Sequence, residues 1–190
     1  MSIQRITPVE PPYSPPVQAV LDRIMPEGVP PLSLFRTLAV NERVFLRVMA
    51  GGLLDRGSIS LRERELVILR TTARLGSEYE WGVHVTFFSG KAGLTAENIA
   101  ATRGEPGAAG AASLSSREQL LLRAVDELVD GARLSDPLFE ELSQSWSPAQ
   151  LVEIVSLTGF YHLIAFATNA FQLAPEPFAA LFSAFGQSCA

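Results

Sequence analysis

The chain has 190 residues, enough for one domain with a sizeable core. Its net charge of −5, without a basic cluster, argues against nucleic acid or an anionic membrane as partner. A single cysteine, Cys189, excludes an internal disulfide framework and a CxxC redox centre.

Hydrophobic residues make up 47% and charged residues only 18%, with a mean hydropathy of +0.21. Such an apolar excess points to surfaces shared between subunits, because homo-oligomer interfaces resemble a core cut in half. No uninterrupted apolar run reaches the roughly eighteen residues that a membrane span needs. Residues 1–12 are polar and proline-containing, unlike a signal segment, so a cytoplasmic location is the expectation.

In chain order, residues 1–12 read as an extended arm, since Pro8, Pro11 and Pro12 oppose regular pairing. Such an arm either lies on a neighbouring subunit or is a disordered terminus. Ser14-Pro15 starts a helix whose stripe is Val17, Val20, Leu21 and Ile24. Residues 26–31 form a proline-rich turn, and Ser33 caps a short segment to Val40. Asn41 restarts a helix with Val44, Phe45, Val48 and Met49 inward, which weakens at Gly51-Gly52.

The central stretch, residues 60–93, predicts two helices joined at Gly76-Ser77. Ser60 and Glu63 make an S-x-x-E capping box, followed by an apolar stripe of Leu66, Leu69 and Ala73 that Val67 and Ile68 widen. The second helix starts near residues 77–79, with Ser77 as its N-cap, and ends before Gly93. Glu80 and His84 stand four apart in it, on one face.

After Gly93, Thr95 caps a helix of about two turns. Residues 103–113 are low in complexity and read as a flexible connector. Ser115 and Glu118 repeat the capping box, and Asp136-Pro137 opens a further helix. Ser147-Pro148 with Gln150 opens the last long one, apolar nearly all round and therefore expected to be buried. A short apolar helix, residues 178–185, ends the chain. Period-two β-branched runs are absent, so the class is all-α.

Residues 61–95, with R-E-R-E-L-V-I-L-R, E-Y-E-W-G-V-H-V and A-G-L-T, resemble the carboxymuconolactone decarboxylase family, which includes alkylhydroperoxidase D-like proteins. Leu34-Phe35-Arg36-Thr37-Leu38 upstream, and Gly159-Phe160-Tyr161 with Asn169 downstream, extend the resemblance over most of the chain. It implies a single all-helical domain, residues 1–190, assembled as a homo-oligomer, usually a trimer or hexamer. The family's peroxidase branch carries a glutamate, eleven residues, C-x-x-C, three residues and a histidine. Here Glu65 and His84 fall at the glutamate and histidine, while Ser77 and Glu80 take the cysteine positions. Thiol chemistry needs a thiolate nucleophile and a resolving thiol, which a hydroxyl and a carboxylate do not supply. The decarboxylase branch lacks the cysteine pair and has a glutamate four before its histidine, as Glu80 is here. That branch is cofactor-free and implies proton transfer by Glu and His.

The candidate catalytic residues are accordingly Glu65, Glu80 and His84. Histidine titrates near neutral pH and suits proton transfer; read from spacing alone, the same residue is a helix histidine paired with Glu80. Glu65 beside the apolar stripe is expected to be buried, hence paired or neutral; the other reading is one more solvated charge among Arg62, Glu63 and Arg64. Candidate substrate-binding residues are Trp81 as a pocket wall, and Tyr161, His162 and Asn169, which either line the pocket or tie helices together. No H-E-x-x-H or similar spacing joins the histidines and glutamates, so no metal is expected. The reading is a cofactor-free lyase acting on a small carboxylated lactone or related organic acid. The alternatives are a non-catalytic helical oligomer that binds a small ligand or a partner, and a peroxidase-like antioxidant, which the missing cysteines disfavour.

Overall fold

Four capping boxes set helix starts in the computed structural model, which describes residues 4–104 and 112–185. Ser60 with Glu63, Thr95 with Asn98, Ser115 with Glu118 and Ser147 with Gln150 each satisfy two backbone N–H groups reciprocally. The helices in order are α1 (Pro15–Ile24), α2 (Ser33–Leu38), α3 (Glu42–Ala50), α4 (Leu61–Arg74), α5 (Glu78–Phe88), α6 (Ala96–Ala101), α7 (Ser116–Gly131), α8 (Asp136–Ser145) and α9 (Pro148–Ala170). Among the described residues there is no strand, and the fold is all-α. Residues 1–3, the middle of the expected connector at 105–111, and Cys189 lie outside the described residues.

Helix α4 is the axis of the fold and packs against α5, α7 and α9. Every residue from Arg64 to Thr72 is buried, so α4 is enclosed on all sides over this stretch, although Leu61 at its start is exposed. Its polar residues therefore need internal partners. Arg70 forks onto Asp126 of α7 at 2.6 and 2.8 Å and also donates to the Thr102 and Gly104 carbonyls. Thr71 and Thr72 donate back to the Val67 and Ile68 carbonyls, both at 2.8 Å. Each bond replaces hydration that burial removes, so the helix tolerates polar groups at the centre of the core.

Helix α9 departs from the expectation of full burial. Leu157, Tyr161 and Ile164 face the core, while Val152 is 68% and Phe166 62% exposed, with Val155 and Leu163 half out beside them. Among the described residues it is the one helix long and apolar enough to cross a membrane, and half of its most apolar stretch is buried. Glu153 on this helix accepts from Ser58 N at 2.6 Å, and Gln150 Nε2 donates to the Ser58 carbonyl at 2.9 Å. These bonds pin the segment between α3 and α4.

The N-terminal arm lies on its own chain. Arg5 N donates to the Phe171 carbonyl at 3.0 Å, Val9 N to the Arg36 carbonyl at 3.2 Å, and Glu10 pairs with Arg36. At the other end, residues 178–185 cross α5 instead of forming one helix; only Phe182–Phe185 make a 3-10 turn. Gly82 permits that crossing, since a Cβ there would stand 2.1 Å from the Ala180 carbonyl oxygen. Ser77 opens α5 without capping it by its side chain; its hydroxyl instead meets Thr168 Oγ1 at 2.7 Å.

Candidate functional site

One turn of α4 and two turns of α5 assemble a buried polar chain. Arg64 and Glu65 are adjacent on α4, and Arg64 donates to Glu65 Oε1 at 3.0 Å. Glu65 Oε2 meets His84 Nδ1 at 2.7 Å, and Nε2 of the same ring meets the Tyr161 hydroxyl at 3.0 Å. Glu80 Oε1 stands 3.5 Å from Nε2, placed there by the i,i+4 spacing on α5. Glu65 is fully buried, and His84 and Tyr161 are 2% exposed. Three helices, α4, α5 and α9, thus each contribute to one network. Arg64, which the sequence offered as a solvated charge, anchors its far end and also donates to the Leu54 carbonyl at 2.6 Å.

The network borders a cavity of about 700 Å3 between α5, α9 and the α2–α3 region. One face of α5 lines it: Glu80, Val83, His84, Phe87 and Phe88, continued by Lys91 beyond the helix end. Tyr161 and Ile164 close the α9 side, and Leu34, Phe35, Met49 and Leu53 the opposite side. The walls are mainly apolar, and Arg23, Lys91 and Asp55 are exposed residues at the edge. Glu65 is absent from the lining and sits behind His84. Phe88 stacks on the imidazole with ring centroids 5.0 Å apart, and Arg64 and Lys91 both lie over Phe88 at 5.6 Å.

The electrostatics follow from this enclosure. Burial disfavours charge on His84 and by itself lowers its pKa. The charge and hydrogen bond of Glu65, with those of Glu80, outweigh it and push the imidazole up to about 9. That push favours the imidazolium, the form in which both ring N–H groups donate. Burial, and then the negative charges of Glu80 and Glu65, hold the Tyr161 phenol well above its usual value, so it stays protonated. Glu80 Oε2 is buried without a hydrogen-bond partner in the structure.

The other sequence candidates lie elsewhere. Trp81 is fully buried but does not line the cavity. It stands about 100° around α5 from Glu80, donates to Thr102 Oγ1 at 3.2 Å and packs edge-on against Phe182 and Phe185. His162 points to the outer side of α9, edge-on to Phe166 at 4.6 Å between centroids. Asn169 donates to the Leu75 carbonyl at 2.7 Å and borders a separate depression with Gly76, Tyr79 and Gln172. Sequence reasoning missed Arg64, Phe88, Lys91 and the α2–α3 wall. Only Phe88 carried a local signal, standing four residues after His84 on the same face. Among the described residues no group of three or more His, Cys, Asp and Glu side chains is arranged to hold a metal ion.

Comparison with known proteins agrees with this architecture. An uncharacterized peroxidase-related protein from Silicibacter sp. TM1040 superposes with a TM-score of 0.75 at 16% identity, covering 88% of each chain. The alkylhydroperoxidase AhpD core of an uncharacterized peroxidase-related protein from Ralstonia eutropha JMP134 gives 0.77 at 17% identity, covering 93% of this chain and 94% of that one. At such identities the likeness is one of fold. No curated protein matches the chain. Residues 42–127 match the model of the carboxymuconolactone decarboxylase family, a span that holds Glu65, Glu80 and His84 but stops before Tyr161. With that match across the central helices and the same all-α AhpD-like fold around them, residues 42–127 of the chain are similar to the carboxymuconolactone decarboxylase family.

Proposed function

We propose that the protein is a cofactor-free carboxy-lyase that acts on a small carboxylated lactone or related organic acid. The observation that carries this reading is the Glu65–His84 pair, 2.7 Å apart, with the imidazole at the wall of a largely apolar cavity and Glu65 strengthening its hold on a proton. Loss of CO2 breaks a C–C bond and leaves its electron pair on the substrate, where a neighbouring carbonyl delocalises it. A pre-formed proton source at that point stabilises the developing charge and then protonates it. Apolar walls favour departure of the carboxylate, because they solvate the charged ground state poorly. Lys91 and Arg23 at the edge suit attraction of an anionic substrate.

The thiol-peroxidase reading is disfavoured by chemistry. Ser77, at one cysteine position, is buried and bonded to Thr168, and Glu80 at the other is no thiol. A homo-oligomer that works in the cytoplasm completes the proposal, supported by the apolar stripe that α9 leaves uncovered. The test is a screen of carboxylated lactones and small organic acids for CO2 release, with His84→Gln as control. Turnover lost in the variant supports the lyase. Saturable binding of these acids without CO2 release favours a ligand-binding protein instead.

A further inference from the structure

Both nitrogens of His84 are occupied by protein groups. Nδ1 is bonded to Glu65, and Nε2 faces the Tyr161 hydroxyl at 3.0 Å and Glu80 Oε1 at 3.5 Å. One ring face lies under Phe88 and the Tyr161 ring meets the imidazole edge-on, leaving the histidine 2% exposed. A proton held on Nε2 therefore reaches the cavity through a neighbour. Tyr161 is the nearer one and lines the cavity. When the imidazolium donates to its oxygen, the phenol's own hydrogen is left over, and among the described residues no acceptor takes it.

We propose that Tyr161 is the catalytic group that touches the substrate: its O–H binds the oxyanion formed there and protonates it, while His84, Glu65 and Arg64 act through it as positioning residues. This rests on the acid–base reading of the same cavity. In the transfer the Tyr161 O–H bond breaks and a new O–H bond forms on the substrate oxygen. The Nε2–H bond of His84 then breaks to restore the phenol, and the neutral imidazole regains its proton from water. No oxidant, reductant or further reactant is involved. The proton-bearing chain runs in a low-dielectric interior, where a hydrogen bond from a cation to the phenol oxygen polarises its O–H more than water would. The charged groups around it are Arg64, Glu65, Glu80 and His84, with Arg23, Lys91 and Asp55 at the cavity edge. The ligand class that follows is a mainly apolar molecule carrying an enolate- or phenolate-type oxygen at one end.

The test uses the full-length protein with 4-nitrophenolate as the oxyanion probe and nitrobenzene as its neutral counterpart, read by calorimetry and by the phenolate absorbance. Wild type should bind the phenolate more tightly. Tyr161→Phe, which keeps the ring and the packing, should weaken the phenolate about tenfold, the loss of one hydrogen bond to a charged group, and leave nitrobenzene unchanged. His84→Gln should weaken it similarly. Equal loss for both probes in Tyr161→Phe overturns the proposal, as does no preference, or no phenolate binding, in wild type. Loss in Glu80→Gln but not in Tyr161→Phe assigns the proton to Glu80 and overturns it too. A CO2 screen that fails on every acid removes the lyase reading and leaves the phenolate result standing, so the two failures are distinguishable.

Discussion

Glu65 Oε2 and His84 Nδ1 lie 2.7 Å apart in the core, brought together across nineteen residues by the packing of α4 on α5. This pair couples folding to pH. The folded imidazole, at about 9, lies above its ordinary value of 6.5. Its contribution to stability is therefore fully present below about pH 6.5 and is lost as pH rises through about 9. Urea midpoints measured across that window should fall in wild type and stay flatter in His84→Gln. Parallel profiles for the two proteins would refute the coupling.

Glu65→Gln keeps the shape and removes the charge. With Glu65 neutral, its share of the upward push is lost while that of Glu80 remains, and the His84 titration followed by NMR should move down. Arg64 loses its anionic partner at the same time and keeps the Leu54 carbonyl. The expected destabilisation is about 3 kcal/mol, the low end for breaking a buried ion pair. An unmoved His84 titration in a folded variant would show that Glu65 does not set the charge.

Gly82→Ala puts two effects in opposition. Alanine favours the interior of α5 by roughly 1 kcal/mol. The new Cβ, however, would stand 2.1 Å from the Ala180 backbone oxygen, so the crossing segment must move. That shift strips Phe182 and Phe185 from Trp81 and should cost a net 1–3 kcal/mol or so, with a red-shifted Trp emission. A raised melting temperature with unchanged emission would contradict the close approach.

The exposed side of α9 offers a test of assembly. Phe166→Glu introduces a charge at a 62% exposed position, where a lone chain would tolerate it. If α9 is covered by a second copy, light scattering should show a multiple of 20.5 kDa for wild type and a smaller mass for the variant. A wild-type mass of one chain at micromolar concentration would end the oligomer proposal.

Thiol-dependent reduction of hydroperoxides should be absent, because Ser77 and Glu80 stand where the peroxidase branch has cysteines. The assay follows thiol consumption with and without an alkyl hydroperoxide. Robust turnover that survives Cys189→Ser would show that another group supplies the chemistry.

Local rules read from the sequence reached as far as one helix and its neighbour. The capping boxes at Ser60, Thr95, Ser115 and Ser147 fix starts because each is a bond within four residues, visible in any chain order. Placing Glu80 beside His84 needs only the helical repeat. Trp81 shows the limit of that rule: nearness in sequence put it by the site, but rotation around α5 turned it to Phe182, Phe185 and the far side. His162 and Asn169 went the same way on α9, where only packing chooses which face of an apolar helix turns inward.

What the sequence by itself determined was the all-α class, the helix starts at Ser60, Thr95, Ser115 and Ser147 and the pairing of a carboxylate with a histidine on one face of α5, since all of these follow from contacts within a turn or two. The tertiary structure alone decided that Arg64 would brace Glu65, that Tyr161 would meet the other imidazole nitrogen across 77 residues, and that α9 would bury one side and expose the other. The physical reason is that a charged side chain has no intrinsic burial and an apolar helix no intrinsic inner face. Both are set by which helices close around α4, where every buried polar group must find its partner.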